Sequence, residues 1–337
     1  MDKNYKQYLD YKVRIDKRIS DFLAEQTGNS DNSRNNKYIP SLYEPLNYIM
    51  SGGGKRIRPL IVLLSCEAFG GSFDLSIDAA VAVEILHNFT LVHDDIMDNA
   101  DTRRGRVTLH KKWSVNTAIL AGDELIALSY KSLLKTKSKR IGEIVKTFTE
   151  GIIQVCEGQA LDKEFEECDN IQLDDYLTMI RKKTAEMVKI SAVIGAMISD
   201  AGDEEIESVG KYSENIGIAF QIQDDILDVS AKESELGKKI GGDIMEKKKT
   251  YLYLKALELA DESEKSKLIK LYNSFTLNSE KVSEVLDIFK RLGVIDSARL
   301  EVQKYVGNAA NNLTGIKNTN SREMFNWLSQ MLLNRNY

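Results

Sequence analysis

The chain has 337 residues, of which 42% are hydrophobic and 29% charged, so it has enough apolar side chains for a sizeable core and the composition of a soluble protein. Its net charge of -5 gives no broad electrostatic case for binding nucleic acid. No run of eighteen apolar residues is present, and the charged N-terminus lacks the apolar core of a signal peptide. We therefore expect a cytoplasmic protein with no membrane span.

Helices are expected along nearly the whole chain, because all three prolines lie within the first 59 residues and a proline inside a helix costs about 3 kcal/mol. An N-terminal helix and a polar loop at 27–38 account for the first 40 residues. The further predicted helices are 58–69, 78–99, 116–134, 140–161, 174–200, 204–230 and 249–260. Several amphipathic helices are expected in 263–335. No alternating stretch indicates a sheet, so the predicted fold class is all-α, with a single domain spanning 1–337.

The three cysteines, Cys66, Cys156 and Cys168, are an odd number and lack the spacing of a metal site. They predict buried thiols in a reducing compartment and no disulfide framework. Cys156 is expected to serve packing.

Two acidic segments of similar sequence, HDDIMD at 93–98 and QDDILD at 223–228, each follow an apolar helical stretch. In a helix, Asp94 and Asp98 lie on one face, and Asp224 and Asp228 repeat that spacing. Asp101 would extend the first row if the helix continued that far. One such segment alone is more often a solvated helix end, but two of them suggest rows that face each other across a cavity.

Carboxylates crowded into one cleft require a cation, because two unit charges ~4 Å apart interact by about 4 kcal/mol at a protein-like dielectric. Oxygen ligands without a thiolate or a pair of histidines indicate Mg²⁺ or Mn²⁺. Mg²⁺ usually takes one or two carboxylates and leaves positions for water and substrate phosphates. The paired segments therefore predict a polyphosphate substrate.

Four basic runs accompany the acids, and together they predict two diphosphates, although each alone is more often a solvated surface. The first is GGGKRIRP at 52–59, which offers Lys55, Arg56 and Arg58 but is not a Walker A loop, because Arg56 follows the lysine. The other runs are Arg103 with Arg104, MIRKKTAEM at 179–187, and KKIGGDIMEKKKT at 238–250.

These motifs occur in the order found in trans-polyprenyl diphosphate synthases: GGGKRIRP, LVHDDIMDNADTRRG, EGQALD, IRKKTA, FQIQDDILD, GKKIGGD and KKKT. From about 45 to 255 the chain resembles that family, and it is most similar to geranylgeranyl and farnesyl diphosphate synthases. The resemblance implies a helical bundle around a deep central cavity and a homodimer. It also implies Mg²⁺-dependent head-to-tail condensation of isopentenyl diphosphate with an allylic diphosphate, with three Mg²⁺ ions bound.

The resemblance further implies roles for individual residues. The metal ligands are Asp94, Asp95, Asp98, Asp224 and Asp228, with Asp225 and Asp243 orienting their neighbours. The allylic diphosphate is held by Arg103, Lys183, Lys238 and Lys248, with Lys239 as the alternative to Lys238. Isopentenyl diphosphate is held by Lys55, Arg58, His87 and Arg104. Thr184 and Gln221 lie near the reacting carbons. The full set assigned to catalysis is Asp94, Asp98, Arg103, Lys183, Thr184, Gln221, Asp224 and Lys238.

Product length is expected to depend on Phe89, which lies five residues before the first aspartate and is followed by Thr90 instead of a second aromatic residue. In the family this residue forms the floor of the cavity, and five helical residues rise about 7.5 Å. The single aromatic residue resembles archaeal geranylgeranyl diphosphate synthases, whose product is C20. Farnesyl diphosphate (C15) is the close alternative, followed by longer products.

Other activities remain open from the sequence. They are terpene cyclisation, head-to-head condensation, and a non-catalytic role as a regulatory subunit. Both acidic segments and the GGGKRIRP loop are intact, which disfavours all three.

His87 returns to roughly the face of Asp94 two turns earlier, whereas His93 adjoins the acids and could donate a hydrogen bond to them.

Overall fold

The computed structural model describes residues 2–26, 39–168, 170–230, 241–274 and 278–334. The loop predicted at 27–38 and the two candidate lysines Lys238 and Lys239 lie outside the described residues.

Helices make up almost all of the described chain, so the all-α prediction is confirmed. Their bounds are α1 Lys3–Gln26, α2 Pro40–Met50, α3 Ile57–Ala68, α4 Phe73–Met97, α5 Leu109–Lys112, α6 Val115–Leu133, α7 Ile141–Glu167, α8 Leu173–Ile180, α9 Glu186–Ile198, α10 Asp203–Ser230, α11 Gly242–Met245, α12 Tyr251–Leu259, α13 Glu262–Tyr272, α14 Ser279–Arg291, α15 Val294–Asn312 and α16 Thr319–Asn334. Every helix predicted from periodicity is present, and α4 begins earlier than predicted.

Two short features were not predicted from the sequence. Strands β1, Thr102–Arg103, and β2, Arg106–Val107, pair in antiparallel register as a small hairpin. Its turn has Arg104 at φ 52° and Gly105 at φ 73°, both in the left-handed region. The second feature is a π-helix, Arg181–Ala185, which joins α8 to α9.

Packing divides the chain into two compact units, each discontinuous in sequence. Unit 1 comprises Met1–Thr149, Ile190–Val209 and Gly315–Phe325, and unit 2 comprises Glu150–Lys189, Gly210–Thr314 and Asn326–Tyr337. The prediction of a single domain stays a prediction.

Helix α4 is the core of unit 1 and packs mainly against α6 and α3. It is long and apolar enough to cross a membrane, but 72% of its most apolar window is buried inside the protein, as expected for a core helix. Each large apolar side chain buried in this way contributes about 1.5–3 kcal/mol. Close packing also depends on Gly195 of α9, where a Cβ would lie 2.8 Å from the Ser65 side chain of α3.

Unit 2 has its own apolar core, to which α12 contributes Tyr251, Leu252 and Leu254, all almost fully buried. Helix α12 contacts α8, α13, α14 and α15. Helix α10 approaches the π-helix closely, because a Cβ at Gly217 would lie only 2.6 Å from Ala185 Cα. The core therefore fixes α10 and the π-helix side by side.

The cysteine prediction is correct in part. All three thiols are free, and Cys66 is buried as expected. Cys156 and Cys168 are exposed, so the expectation that they are buried is wrong. Cys156 lies on α7 beside buried Val155, so it is the neighbouring position of the helix that faces the core.

Candidate active site

The first acidic segment forms the C-terminal end of α4. Asp94 lies in the last turn and is half-buried, whereas Asp98 is the exposed residue that caps the helix. The helix ends there because Asn99 adopts the left-handed conformation, with φ 49°. It does not continue to Asp101, which instead forms an ion pair with Lys111 at 3.0 Å. Asp101 therefore does not extend the row of aspartates.

Asp95 points into unit 1, where it is only 2% exposed. Its Oδ1 accepts a hydrogen bond of 2.6 Å from Arg103 Nε on the hairpin. Burial raises the pKa of Asp95, and the charge of Arg103 opposes that rise. Although Asp95 is a predicted metal ligand, its contact in this structure is with Arg103, whose guanidinium it orients.

The predicted residues for isopentenyl diphosphate lie together in unit 1. Arg58 Nη1 donates to His87 Nε2 over 3.1 Å, and Arg104 Nη1 donates to the Gly53 carbonyl over 2.5 Å. Burial, with the charges of Arg58 and Arg104, holds the pKa of His87 well below 6.5. The imidazole is therefore neutral, and its Nε2 lone pair is the acceptor.

The cations of this cluster stay charged near neutral pH despite burial. Burial lowers the pKa of Arg58 to about 10 and also lowers the pKa of Arg104. Lys55 is exposed, and its backbone carbonyl accepts a hydrogen bond of 3.0 Å from the Tyr8 hydroxyl. Two arginines, a lysine and a neutral histidine form a site suited to an anion.

Arg56, which the sequence groups with these cations, points the opposite way. It is 5% exposed and forms ion pairs with Asp16 at 2.7 Å and with buried Glu84 at 2.5 Å. Its φ of 52° turns the side chain under the glycine loop. Arg56 anchors the loop to α1 and α4 and is buried away from any phosphate bound outside the loop.

The second acidic segment lies on α10 in unit 2. Asp224 and Asp228 are half-buried, whereas Asp225 is 3% exposed. Asp225 Oδ2 accepts hydrogen bonds from the Tyr176 hydroxyl at 2.6 Å and from the Tyr251 backbone N–H at 3.0 Å. Burial, together with the charge of Asp243, raises the pKa of Asp225 to about 8.

The π-helix carries two further predicted residues. Lys183 Nζ contacts Asp162 Oδ2 of α7 at 2.5 Å, and Thr184 Oγ1 donates to Gln221 Oε1 of α10 at 3.0 Å. Gly158 permits this approach, because a Cβ there would lie 2.7 Å from Lys183 Cα.

These side chains surround a cavity of about 150 Å³ within unit 2. Its lining includes the predicted residues Lys183, Thr184, Gln221, Asp225, Asp243 and Lys248. At its edge, Asp228 Oδ2 accepts a hydrogen bond of 3.1 Å from the Asp243 N–H. A cavity lined by both lysines and acids is suited to a metal-bound anion.

Sequence reasoning missed Asp162 and Tyr176 as partners of the site. Asp162 belongs to the motif EGQALD, which supports the family resemblance. The spacing of that motif does not indicate a contact between Asp162 and Lys183. Tyr176 has no motif of its own, and only the fold brings it to Asp225.

The donor set fits a hard divalent cation. Among the residues with described positions, no group of three or more His, Cys, Asp and Glu side chains is close enough to hold a metal alone. Mg²⁺ commonly binds through one or two carboxylates and completes its shell with water and phosphate oxygens. Asp94 with Asp98, and Asp224 with Asp228, supply such oxygens and no softer ligand.

Comparison with known proteins decides the family. A sequence model of the polyprenyl synthetase family matches residues 39–289. The geranylgeranyl diphosphate synthase of Sulfolobus acidocaldarius is 42% identical over 282 residues, which cover 82% of this chain and 85% of that protein. The chain belongs to the polyprenyl synthetase family.

The fold and the class of enzyme follow from this membership. The crystal structure of the geranylgeranyl pyrophosphate synthetase from Pyrococcus horikoshii Ot3 aligns with a TM-score of 0.87 at 34% identity, covering 97% of this chain and 99% of that one. The predictions of an isoprenoid synthase fold and of a prenyltransferase are confirmed.

Relatives in this family differ in product. The geranylfarnesyl diphosphate synthase of Natronomonas pharaonis is 33% identical over 314 residues, covering 88% of this chain and 90% of that protein. In the present polyprenyl synthetase the predicted length-determining residue, Phe89, is 7% exposed on α4. Its neighbour Thr90 donates a hydrogen bond of 2.8 Å from Oγ1 to the His87 carbonyl.

Proposed function

We propose that this polyprenyl synthetase is a geranylgeranyl diphosphate synthase. It joins isopentenyl diphosphate to an allylic diphosphate, head to tail and with trans geometry, until the chain reaches C20. The observation that carries the proposal is the cluster of Arg58, His87 and Arg104 in the same unit as the Asp94–Asp98 row. An anion site beside a row of carboxylates suits two diphosphates, one held by cations alone and the other through metal ions.

Isopentenyl diphosphate is held by Lys55, Arg58, His87 and Arg104. The two arginines supply forked donors that match phosphate oxygens. Neutral His87 can donate from Nδ1 while its Nε2 accepts from Arg58. Because Arg56 is committed to Asp16 and Glu84, the loop has a fixed base on which Lys55 is exposed to the substrate.

The allylic diphosphate is held by Arg103, Lys183 and Lys248, and Lys238 stays a proposed fourth contact. Asp94, Asp98, Asp224 and Asp228 are the proposed ligands of three Mg²⁺ ions, for which Mn²⁺ is an alternative. When bound, these ions neutralise the charge that develops on the leaving diphosphate.

The chain's own residues then control the carbocation. As the allylic C–O bond breaks, its electron pair leaves with the diphosphate. The Thr184–Gln221 pair presents oxygen dipoles that stabilise the positive charge on carbon. The C4 double-bond carbon of isopentenyl diphosphate forms the new bond, and the departing diphosphate takes the proton that is lost. The proposal further requires apolar walls around the growing chain, because water would otherwise capture the cation.

A second candidate function is synthesis of a product other than C20, because family membership does not fix product length. Phe89 favours C20 by the resemblance to archaeal geranylgeranyl diphosphate synthases, and the five helical residues from Phe89 to Asp94 rise about 7.5 Å. We expect Phe89→Ala to lengthen the product, and an unchanged distribution would remove Phe89 from this role.

The test uses the purified protein with labelled isopentenyl diphosphate and, in parallel, C5, C10 or C15 allylic diphosphates. After enzymatic dephosphorylation, reversed-phase chromatography separates the alcohols by length. The proposal expects a C20 alcohol in the presence of Mg²⁺ and no product when the metal is chelated. A folded protein without turnover would contradict it in favour of a regulatory subunit, and a predominant C15 or C25 alcohol would reassign the product.

We further propose that the enzyme is a cytoplasmic homodimer. Light scattering coupled to size exclusion tests the oligomeric state, because a dimer has twice the 38.0 kDa mass of the chain.

A further inference from the structure

Phe89 does not lie alone on α4. One helical turn later, His93 contacts it edge to face, with ring centroids 4.7 Å apart and planes inclined at 64°. Such aromatic pairs have a preferred geometry, so each ring limits the orientation of the other. The position of the Phe89 ring is therefore coupled to that of His93.

The imidazole of His93 is held in turn by the backbone of α6. A Cβ at Gly122 would overlap His93 Nε2 and would lie 2.5 Å from Cδ2. Any other residue at this position would displace the ring, so glycine at 122 leaves the recess that His93 fills.

Packing, and not hydrogen bonding, fixes the buried edge of the His93 ring. Within the described part of the chain, Nε2 of His93 is buried and has no hydrogen-bond partner. Buried polar atoms usually have hydrogen-bond partners, so leaving Nε2 without one costs free energy. The cost is understandable if the imidazole fills a required volume between α6 and Phe89.

We propose that His93 is a positioning residue for product length, which acts by fixing the ring of Phe89 and is itself seated in the recess at Gly122. This inference rests on the proposed function, in which Phe89 limits the growing chain. His93 does not touch the reacting atoms in this account.

The first arm of the test compares His93→Ala with His93→Leu. Alanine empties the space beside Phe89, so the ring can swing towards α6 and the main product should become longer by at least one C5 unit. Leucine refills most of the volume without a ring nitrogen, so it should return the product towards the wild-type length. If the role of His93 were to donate a hydrogen bond to the acids, leucine would behave like alanine.

The second arm tests the route through Phe89 and Gly122. Phe89→Ala with His93→Ala should give the same product distribution as Phe89→Ala alone, because the ring to be positioned is absent. Gly122→Ala added to His93→Ala places a methyl group in the emptied recess and should partly reverse the lengthening. Gly142→Ala is the matched control, since Gly142 is an exposed residue of α7 and an added Cβ there meets no atom within 4 Å.

The readout is the ratio of product lengths in the variants that remain folded by circular dichroism, and the ratio is independent of overall rate. A wild-type ratio in His93→Ala overturns the inference, as does equal further lengthening by His93→Ala in the Phe89→Ala background. If His93→Ala does not fold, a wild-type ratio in a folded His93→Val variant, which leaves a smaller gap beside Phe89, overturns it equally. Failure of the proposed function is distinguishable, because it shows in the unaltered enzyme, which then makes no prenyl product or a main product other than C20.

Discussion

The two acidic segments have the same spacing but are built into the protein differently. In both, the second aspartate is buried and the first and last are more open. Asp95 binds a cation, Arg103, which is itself a predicted substrate contact. Asp225 instead binds a tyrosine hydroxyl and a backbone N–H, with no cation among these partners. The same sequence pattern therefore orients Arg103, a predicted substrate contact, in unit 1 and fixes the packing of helices in unit 2.

The largest expected effect concerns the metal-binding role that is proposed for both acidic segments. Asp94→Ala and Asp224→Ala should each lower the rate of product formation by roughly 10²–10³-fold, because charge on the leaving group loses its stabilisation. Steady-state assays with labelled isopentenyl diphosphate measure this. Asp101→Ala is the matched control, because this exposed aspartate follows α4 but lies off the row, and it should retain nearly full rate. A near-normal rate in either Asp94→Ala or Asp224→Ala would show that its segment does not serve the metal ions.

The next prediction compares the stability that is lost when each of the two buried aspartates is replaced. Asp95→Asn leaves Arg103 without its counter-charge and should destabilise the metal-free protein by about 1–3 kcal/mol, after allowance for the partial exposure of the arginine. Asp225→Asn should cost less, because burial already favours the neutral form and one amide oxygen can accept both hydrogen bonds. Thermal unfolding of both variants in a chelator at neutral pH makes the comparison. An equal or larger loss for Asp225→Asn would contradict the difference between the segments.

A dependence of stability on pH should arise in unit 1 from His87. The pKa of His87 is depressed in the folded protein, so its contribution to stability is present above the unfolded pKa of about 6.5 and decreases as the pH falls below that value. The raised pKa of Asp225 acts in the opposite direction over the same range, so melting temperatures are compared in an Asp225→Asn background. There they should fall from pH 7.5 to 5.5, and His87→Gln should reduce the slope. An identical slope in His87→Gln would assign the effect to other groups.

The smallest expected effect is that of Tyr176→Phe, which removes one hydrogen bond to Asp225 but keeps the Tyr251 N–H. Loss of one such bond typically costs about 1 kcal/mol. Unfolding by urea measures it. Tyr130→Phe is a suitable control, because its hydroxyl bonds Thr149 in unit 1, away from either acidic segment. No measurable change for Tyr176→Phe would mean that the Tyr251 N–H and Gln221 Nε2, the remaining donors, hold Asp225.

The sequence predicted the helices well, because apolar spacing at 3.6 residues records which face of each helix is buried. It also predicted the cluster of Arg58, His87 and Arg104, whose residues the fold brings together from α3, α4 and the hairpin. It did not predict that the Arg56 side chain points away from the other cations. That orientation depends on a left-handed φ, which the sequence does not indicate at a residue other than glycine. The hairpin was missed since two residues per strand are too few to show alternation.

The sequence also did not predict that Asp95 and Asp225 are the aspartates whose side chains point inward. Adjacent residues of a helix differ by about 100° in direction, so one aspartate of each pair had to face away from the other. Which of them is buried depends on the arginine or tyrosine that the fold supplies. That information lies in the packing of distant segments.

The π-helix at Arg181–Ala185 has a consequence for how this protein can change over evolution. A π-turn contains one residue more than an α-turn, so the register of everything before and after it depends on that single extra residue. Removing one residue there would give a more regular and more favourable backbone. The same deletion would rotate Lys183 and Thr184 by about 100° relative to their partners on α7 and α10. A shorter and more stable helix is therefore available by one small genetic step, at the cost of both side chains losing their contacts.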